Sequence, residues 1–378
     1  MYFFVENSKI FLELLLQLCL NRLLFYGSQN IIFKKSTVNK DKNMQKISSF
    51  LFPAFFLLIL SFSCSKQKKI SRTPTPVPLP FDGKIIKDIV YGNNVDYFGV
   101  KEDLDMDIYQ PASIVNGQVD KLPLYVYVHG GGFLVGAKGG GDSLMKLMAA
   151  KGFIGSTINY RLGWDRNRDG TDPCSGDSTQ LKLAIYRAIQ DLRASLRFMV
   201  AHANEYHIDT NWIFISGASA GGVTILNSTY VDQAYADILL PGAKDTMGTL
   251  DNATNKLTNT FTVKGLGSLW GGLNTDVIIN ETNAVPTIFF HGELDNVVPY
   301  NIGTVYQCPE QLPVYGSKPI YDRLQTFGVS AVAHIDPLGG HGVYDPFFTS
   351  DNMACFFQSL IDNNPKVGFF FGQDGSCN

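Results

Sequence analysis

From residue 81 onward, short apolar runs rich in β-branched and aromatic residues alternate with stretches whose apolar residues recur at helical spacing. This alternation constrains the fold more than any other feature of the chain. Strand-like runs fall at 85–91, 104–109, 122–128, 153–159, 212–216, 265–269, 287–291 and 329–335. The run at 122–128 reads LPLYVYV, continuously apolar, as a strand covered on both faces must be. Helical spacing appears at 142–151, 179–203, from about Ser219 onward, and at 321–327 and 353–361. In 179–203, Leu181, Ala184, Ile185, Ala188, Ile189, Leu192, Leu196 and Phe198 share one face. Strand, helix, strand in repetition predicts an α/β class: a mostly parallel, twisted sheet with helices on both faces. The first two strands have no helix between them, so an antiparallel edge is expected there. No repeat or composition break interrupts 81–378, which reads as one domain. Residues 232–262 are polar and irregular, either a small lid or a surface excursion.

The first 80 residues follow other rules. From Met44 the chain reads MQKISSFLFPAFFLLILSFSC. A basic start, an apolar run too short to span a bilayer comfortably, and small residues before Cys64 form a signal-peptide layout. Its end resembles a bacterial lipobox, which implies cleavage before Cys64 and lipidation of that residue. Residues 44–63 are then the signal, 64–80 a basic and Pro-rich tether, and the protein an exported one held at a membrane. A mature mass that still includes Leu60 contradicts this reading. Residues 1–43 carry a second apolar run and read as a doubtful upstream extension, with translation starting at Met44; a true N-terminal span is the alternative. An oxidising compartment permits disulfides among Cys174, Cys308, Cys355 and Cys377, and four cysteines leave three pairings open. The net charge of −3 gives no electrostatic case for nucleic acid.

Two glycine-rich segments carry the chemistry. Gly217-Ala218-Ser219-Ala220-Gly221-Gly222 lies between the WIFIS strand and a helix. A strand turning that sharply into a helix leaves Ser219 strained and its hydroxyl exposed, and only small neighbours fit the turn. His129-Gly130-Gly131-Gly132-Phe133 directly follows LPLYVYV. Glycine lets backbone amides come close to a bound group.

With these motifs, with Tyr160-Arg161-Leu162 and with the helix containing Gln190-Asp191-Leu192-Arg193-Ala194, residues 84–365 resemble the carboxylesterase and hormone-sensitive-lipase-like branch of the α/β-hydrolases. The resemblance implies Ser219 as nucleophile, and an oxyanion hole made by the amides of Gly131, Gly132 and Ala220. His129 then shapes its loop. The family order of Ser, acid, His removes His129, His202 and His207, which precede Ser219. His291 precedes the best acid, and His334 lies inside an apolar strand as a packed residue would. His341, in Gly339-Gly340-His341-Gly342 in the loop after the last strand, is left as the base. Glu293 and Asp295 both follow the 287–291 strand. Asp295 fits the family's HG-x-x-D-x-x-V-P pattern and is preferred.

The implied reaction is hydrolysis of a carboxylic ester through an acyl-enzyme, without a cofactor. Substrates range from small-molecule to glycan or polymer esters, so a carbohydrate-acyl (acetyl or feruloyl) esterase or a polyester depolymerase is an alternative. A peptidase of this fold and a non-catalytic binding protein are further ones. The oligomeric state and the acyl and alcohol specificity are not readable. Two features depart from the family: no extensive helical cap follows the tether, and 165–177 is unusual. Asp165, Asn167 and Asp169 have calcium-loop spacing, but Gly176 stands where that loop needs Glu. The alternative is a polar turn at the rim of the site.

Overall fold

The computed structural model describes residues 81–166, 172 and 174–373. The expectations for 1–80, including Cys64, and those for Asn167, Asp169 and Cys377 lie outside the described residues. The strands are β1 (Lys84–Val95), β2 (Lys101–Gln110), β3 (Leu122–Val128), β4 (Ile154–Ile158), β5 (Ile208–Ala218), β6 (Val263–Leu269), β7 (Thr287–Gly292), β8 (Ile302–Thr304), β9 (Pro313–Tyr315), β10 (Ala331–Asp336) and β11 (Gly368–Phe371). The principal helices are α1 (Asp142–Ala150), α2 (Ser178–Ala201), α3 (Ala220–Tyr230), α4 (Gln233–Leu239), α5 (Ala243–Met247), α6 (Ser317–Thr326) and α7 (Pro346–Ile361).

Nine strands form one sheet in the order β1-β2-β4-β3-β5-β6-β7-β10-β11. Pairing is antiparallel from β1 through β2 to β4 and parallel from there to β11. The alternating pattern of the sequence thus has the expected outcome, with the antiparallel edge at the first two strands. β3 shows why both faces must be apolar. Leu124, Val126 and Val128 join a core with Ala184, Ala188 and Leu192 of α2 and Ile225 of α3. Tyr125 and Tyr127 point the other way, into a core with Met145 and Met148 of α1 and Met353 and Phe357 of α7. Burying each large apolar side chain contributes about 1.5–3 kcal/mol.

The segment 232–262 differs from its sequence reading. It holds α4 and α5, and both pack Ala236, Leu240 and Ala243 against Tyr186 and Ile189 of α2. Its tail is fixed by charge. Arg193 of α2 pairs with Asp251 at 3.1 Å, and Arg197 donates to the Ala253 carbonyl at 3.0 Å. The Arg161–Asp191 pair, at 2.8 Å and fully buried, accepts the Thr254 hydroxyl at 2.6 Å. These contacts account for the two motifs around Arg161 and Asp191: they anchor an excursion that polar composition alone reads as irregular.

Candidate active site

The elbow is built by steric exclusion. Ser219 has φ 56° and ψ −118°, a left-handed conformation costly to any residue with a Cβ. Its amide donates to Leu269 O at 2.9 Å, and its carbonyl accepts from Val223 N at 2.8 Å, so strand and helix both grip it. A side chain on Gly221 would collide with the Val128 carbonyl, and one on Gly217 with the Gly221 carbonyl. The turn therefore closes only with glycine at both positions.

Three distant segments meet here. His341 Nε2 lies 2.8 Å from Ser219 Oγ, and His341 Nδ1 lies 2.8 Å from Asp295 Oδ2. A carboxylate can only accept, so Nδ1 carries the proton and Nε2 is free to accept from the serine hydroxyl. Asp295 is buried, while Glu293 is exposed. Burial alone would raise the Asp295 carboxyl. Hydrogen bonds from His291 and His341, the charge on His341 when protonated, and the Val297 amide outweigh it and hold Asp295 well below the usual carboxylate range. Asp295 Oδ1 also accepts from Val297 N at 2.8 Å and Val298 N at 3.0 Å.

The 129–133 loop packs on the elbow. A Cβ on Gly130 would stand 3.2 Å from Ser219 Cβ. Gly131 and Gly132 have φ of 114° and 62°. The amides of Gly131, Gly132 and Ala220 donate to no backbone carbonyl among the described residues. His129 is buried and stacks on Tyr160 with ring centroids 4.4 Å apart, while its Nδ1 donates to Gly130 O at 2.7 Å. Burial lowers its pKa, and its ring serves the loop's shape. Trp164 Nε1 donates to Gly132 O at 2.8 Å.

Some contacts of the site are not readable from the sequence. His291 lies 3.2 Å from Asp295 Oδ2, so the carboxylate has two imidazole partners. His291 is itself fixed by Ser317 Oγ at 2.8 Å and Val298 O at 3.0 Å. His291 is the first position of the HG-x-x-D-x-x-V-P pattern, four residues before Asp295, but the pattern does not say that it bonds the acid. His334 is buried between Phe290, Phe348 and Phe370, away from the site, and burial depresses its pKa to about 4. Cys174 pairs with Cys308, Cα atoms 5.1 Å apart, which selects among the pairings left open by sequence. Cys355 is disulfide-bonded as well. Among the described residues no group of three or more His, Cys, Asp or Glu could hold a metal ion.

A pocket open to solvent reaches Ser219 and Ala220. Leu181, Ile185, Val223, Val298, Leu312 and Val314 make it apolar. His341 is not among the residues that line it.

A twisted sheet with a strained serine at a strand-to-helix turn, and site loops gathered beyond the strand ends, defines the α/β-hydrolase fold. A truncated carbohydrate esterase from gut microbiota shares this fold, with a TM-score of 0.51 at 18% identity over 75% of this chain and 98% of that one. The BD-FAE family model matches residues 179–262, from α2 through the elbow to the end of the excursion. Carboxylesterase 3B of Mus musculus is 32% identical over 147 residues, 38% of this chain and 23% of that protein. Gut esterase 1 of Caenorhabditis elegans is 27% identical over 161 residues, 41% of this chain and 27% of that protein. The chain thus spans about a quarter of the length of these curated relatives.

Proposed function

We propose that this protein hydrolyses carboxylic esters through an acyl-enzyme on Ser219. The observation that carries the reading is the pair of 2.8 Å contacts aligning Ser219, His341 and Asp295 beside undonated amides. The similarity to curated carboxylesterases supports it. Ser219 Oγ attacks the ester carbonyl as its proton passes to His341 Nε2. The carbonyl oxygen becomes an alkoxide, held by the amides of Gly131, Gly132 and Ala220. His341 returns the proton to the leaving alcohol, and the acyl group stays on Ser219. Water then adds to the acyl carbon, giving its proton to His341, and the carboxylic acid departs as Ser219 is re-protonated. Asp295 remains ionised throughout and stabilises the imidazolium.

The leaving alcohol must sit beside His341 Nε2 to be protonated. The apolar pocket, which His341 does not line, therefore takes the acyl group. Its enclosed space, about 60 Å³, suits a short acyl chain. In a series of p-nitrophenyl esters from acetyl to dodecanoyl, kcat/KM is expected to peak at two to four carbons and to fall about tenfold or more by twelve. Turnover of none of these esters, or a maximum at the longest chain, contradicts the reading. Export and lipidation at Cys64 belong to the same proposal and rest on residues 44–64 alone; the mature mass tests them.

A further inference from the structure

Beyond the three backbone amides, we infer that the Tyr306 hydroxyl is a fourth donor to the carbonyl oxygen of the substrate, an inference that rests on the acyl-transfer reading above. Tyr306 lines the same pocket as Ser219 and Gly132. A methyl group placed on Gly132 would stand 3.2 Å from its hydroxyl oxygen, so the phenol hangs over the glycine whose amide faces the developing alkoxide. The hydroxyl makes no hydrogen bond among the described residues, and the residue is only partly buried, so it is available to a ligand.

The surrounding structure is built to hold that ring in place. Tyr306 and Gln307 are consecutive non-glycine residues at φ 58° and 59°. Each such residue costs on the order of 1 kcal/mol, and the conformation persists only where neighbours impose it. The neighbours are at hand. The Tyr306 amide donates at 2.8 Å to Val297 O, in the same turn whose amides hold Asp295. The Arg166 guanidinium lies 4.6 Å from the ring centroid, a cation–π contact. Two residues on, Cys308 is bonded to Cys174, and the Gln311 side chain donates to Gly176 O. Three separate ties to the segment before α2 thus bracket one strained tyrosine. A residue that only filled space would need neither the strained backbone nor the staple.

A phenol is a stronger acid than an amide N–H and donates a short hydrogen bond to an alkoxide. The bond strengthens as the carbonyl oxygen gains charge and so favours the transition state over the bound ester. No proton needs to transfer. The hydroxyl hydrogen stays on Tyr306 as the alkoxide forms and collapses.

The test is Tyr306→Phe, which keeps the ring, the cation–π contact and the packing and removes one oxygen. On p-nitrophenyl acetate, kcat is expected to fall about 100-fold with KM within about threefold. Affinity for a phenylboronic acid, whose tetrahedral adduct on Ser219 puts an oxygen where the alkoxide forms, should fall in parallel with kcat. Thermal stability should not change. Replacing both Cys174 and Cys308 by Ser should lower kcat in the native background and have little further effect alongside Tyr306→Phe, because both changes act through one hydroxyl. Unchanged kcat and boronate affinity in Tyr306→Phe overturn the inference, as does a rise in KM alone or a loss of stability alone. Labelling of Ser219 by a fluorophosphonate separates the two readings: a labelled wild type with an unaffected Tyr306→Phe sinks only the tyrosine, and an unlabelled wild type sinks both.

Discussion

Ser219→Ala is expected to lower kcat on p-nitrophenyl acetate by on the order of 10⁶, to the background set by binding and the amides alone. The size follows from the role of the hydroxyl. It is the atom that forms the covalent bond, and it is the one hydroxyl in the pocket lining held against an imidazole. The change should leave the fold intact, because removing one oxygen keeps the Cβ and the strained backbone. Melting temperature should stay the same or rise, since the alanine no longer holds a polar group in a constrained turn. Steady-state rates and a thermal melt on the same preparation check both halves. Retention of more than a hundredth of the wild-type rate would place the nucleophile elsewhere.

Asp295→Asn is expected to cost about 10³–10⁴ in kcat, or roughly 4–5.5 kcal/mol of barrier. The amide can present its NH₂ to His341 Nδ1 and so force the proton onto Nε2, the nitrogen that must accept from Ser219. Glu293→Gln should change kcat less than twofold. Both residues follow β7, and sequence position alone admits either. The difference is in their surroundings. Asp295 is buried and its carboxylate accepts from two imidazoles and two backbone amides, whereas Glu293 faces solvent. Kinetics of the two variants side by side check the assignment, and a reversed order of effects would transfer the role to Glu293.

The scaffold was legible where burial imposes a period. β3 is continuous and apolar because both its faces are covered, and α2 shows its stripe because one face meets the sheet. Elements that bury little leave little pattern. β11 is four residues long and mostly half-exposed, and α4 buries only Ala236, so neither stands out from its surroundings. The strands of the β8–β9 hairpin have three residues each, too short for any alternation to be read. The site divides in the same way. Glycine punctuation marks the elbow and the 129–133 loop because tight backbone approach demands it. The second imidazole on Asp295 and the left-handed backbone of Tyr306 come from tertiary packing, and no local residue preference encodes a tyrosine at positive φ. The Cys174–Cys308 pairing is likewise a consequence of which loops meet above the sheet.

The most direct measurement is mass spectrometry of the intact protein, then of its peptides, after treatment with a fluorophosphonate. A single adduct on the peptide containing Ser219, absent after heat denaturation and absent in His341→Ala, is the expected result. A folded protein that takes up no label, or takes it up at another residue with Ser219 untouched, would contradict it.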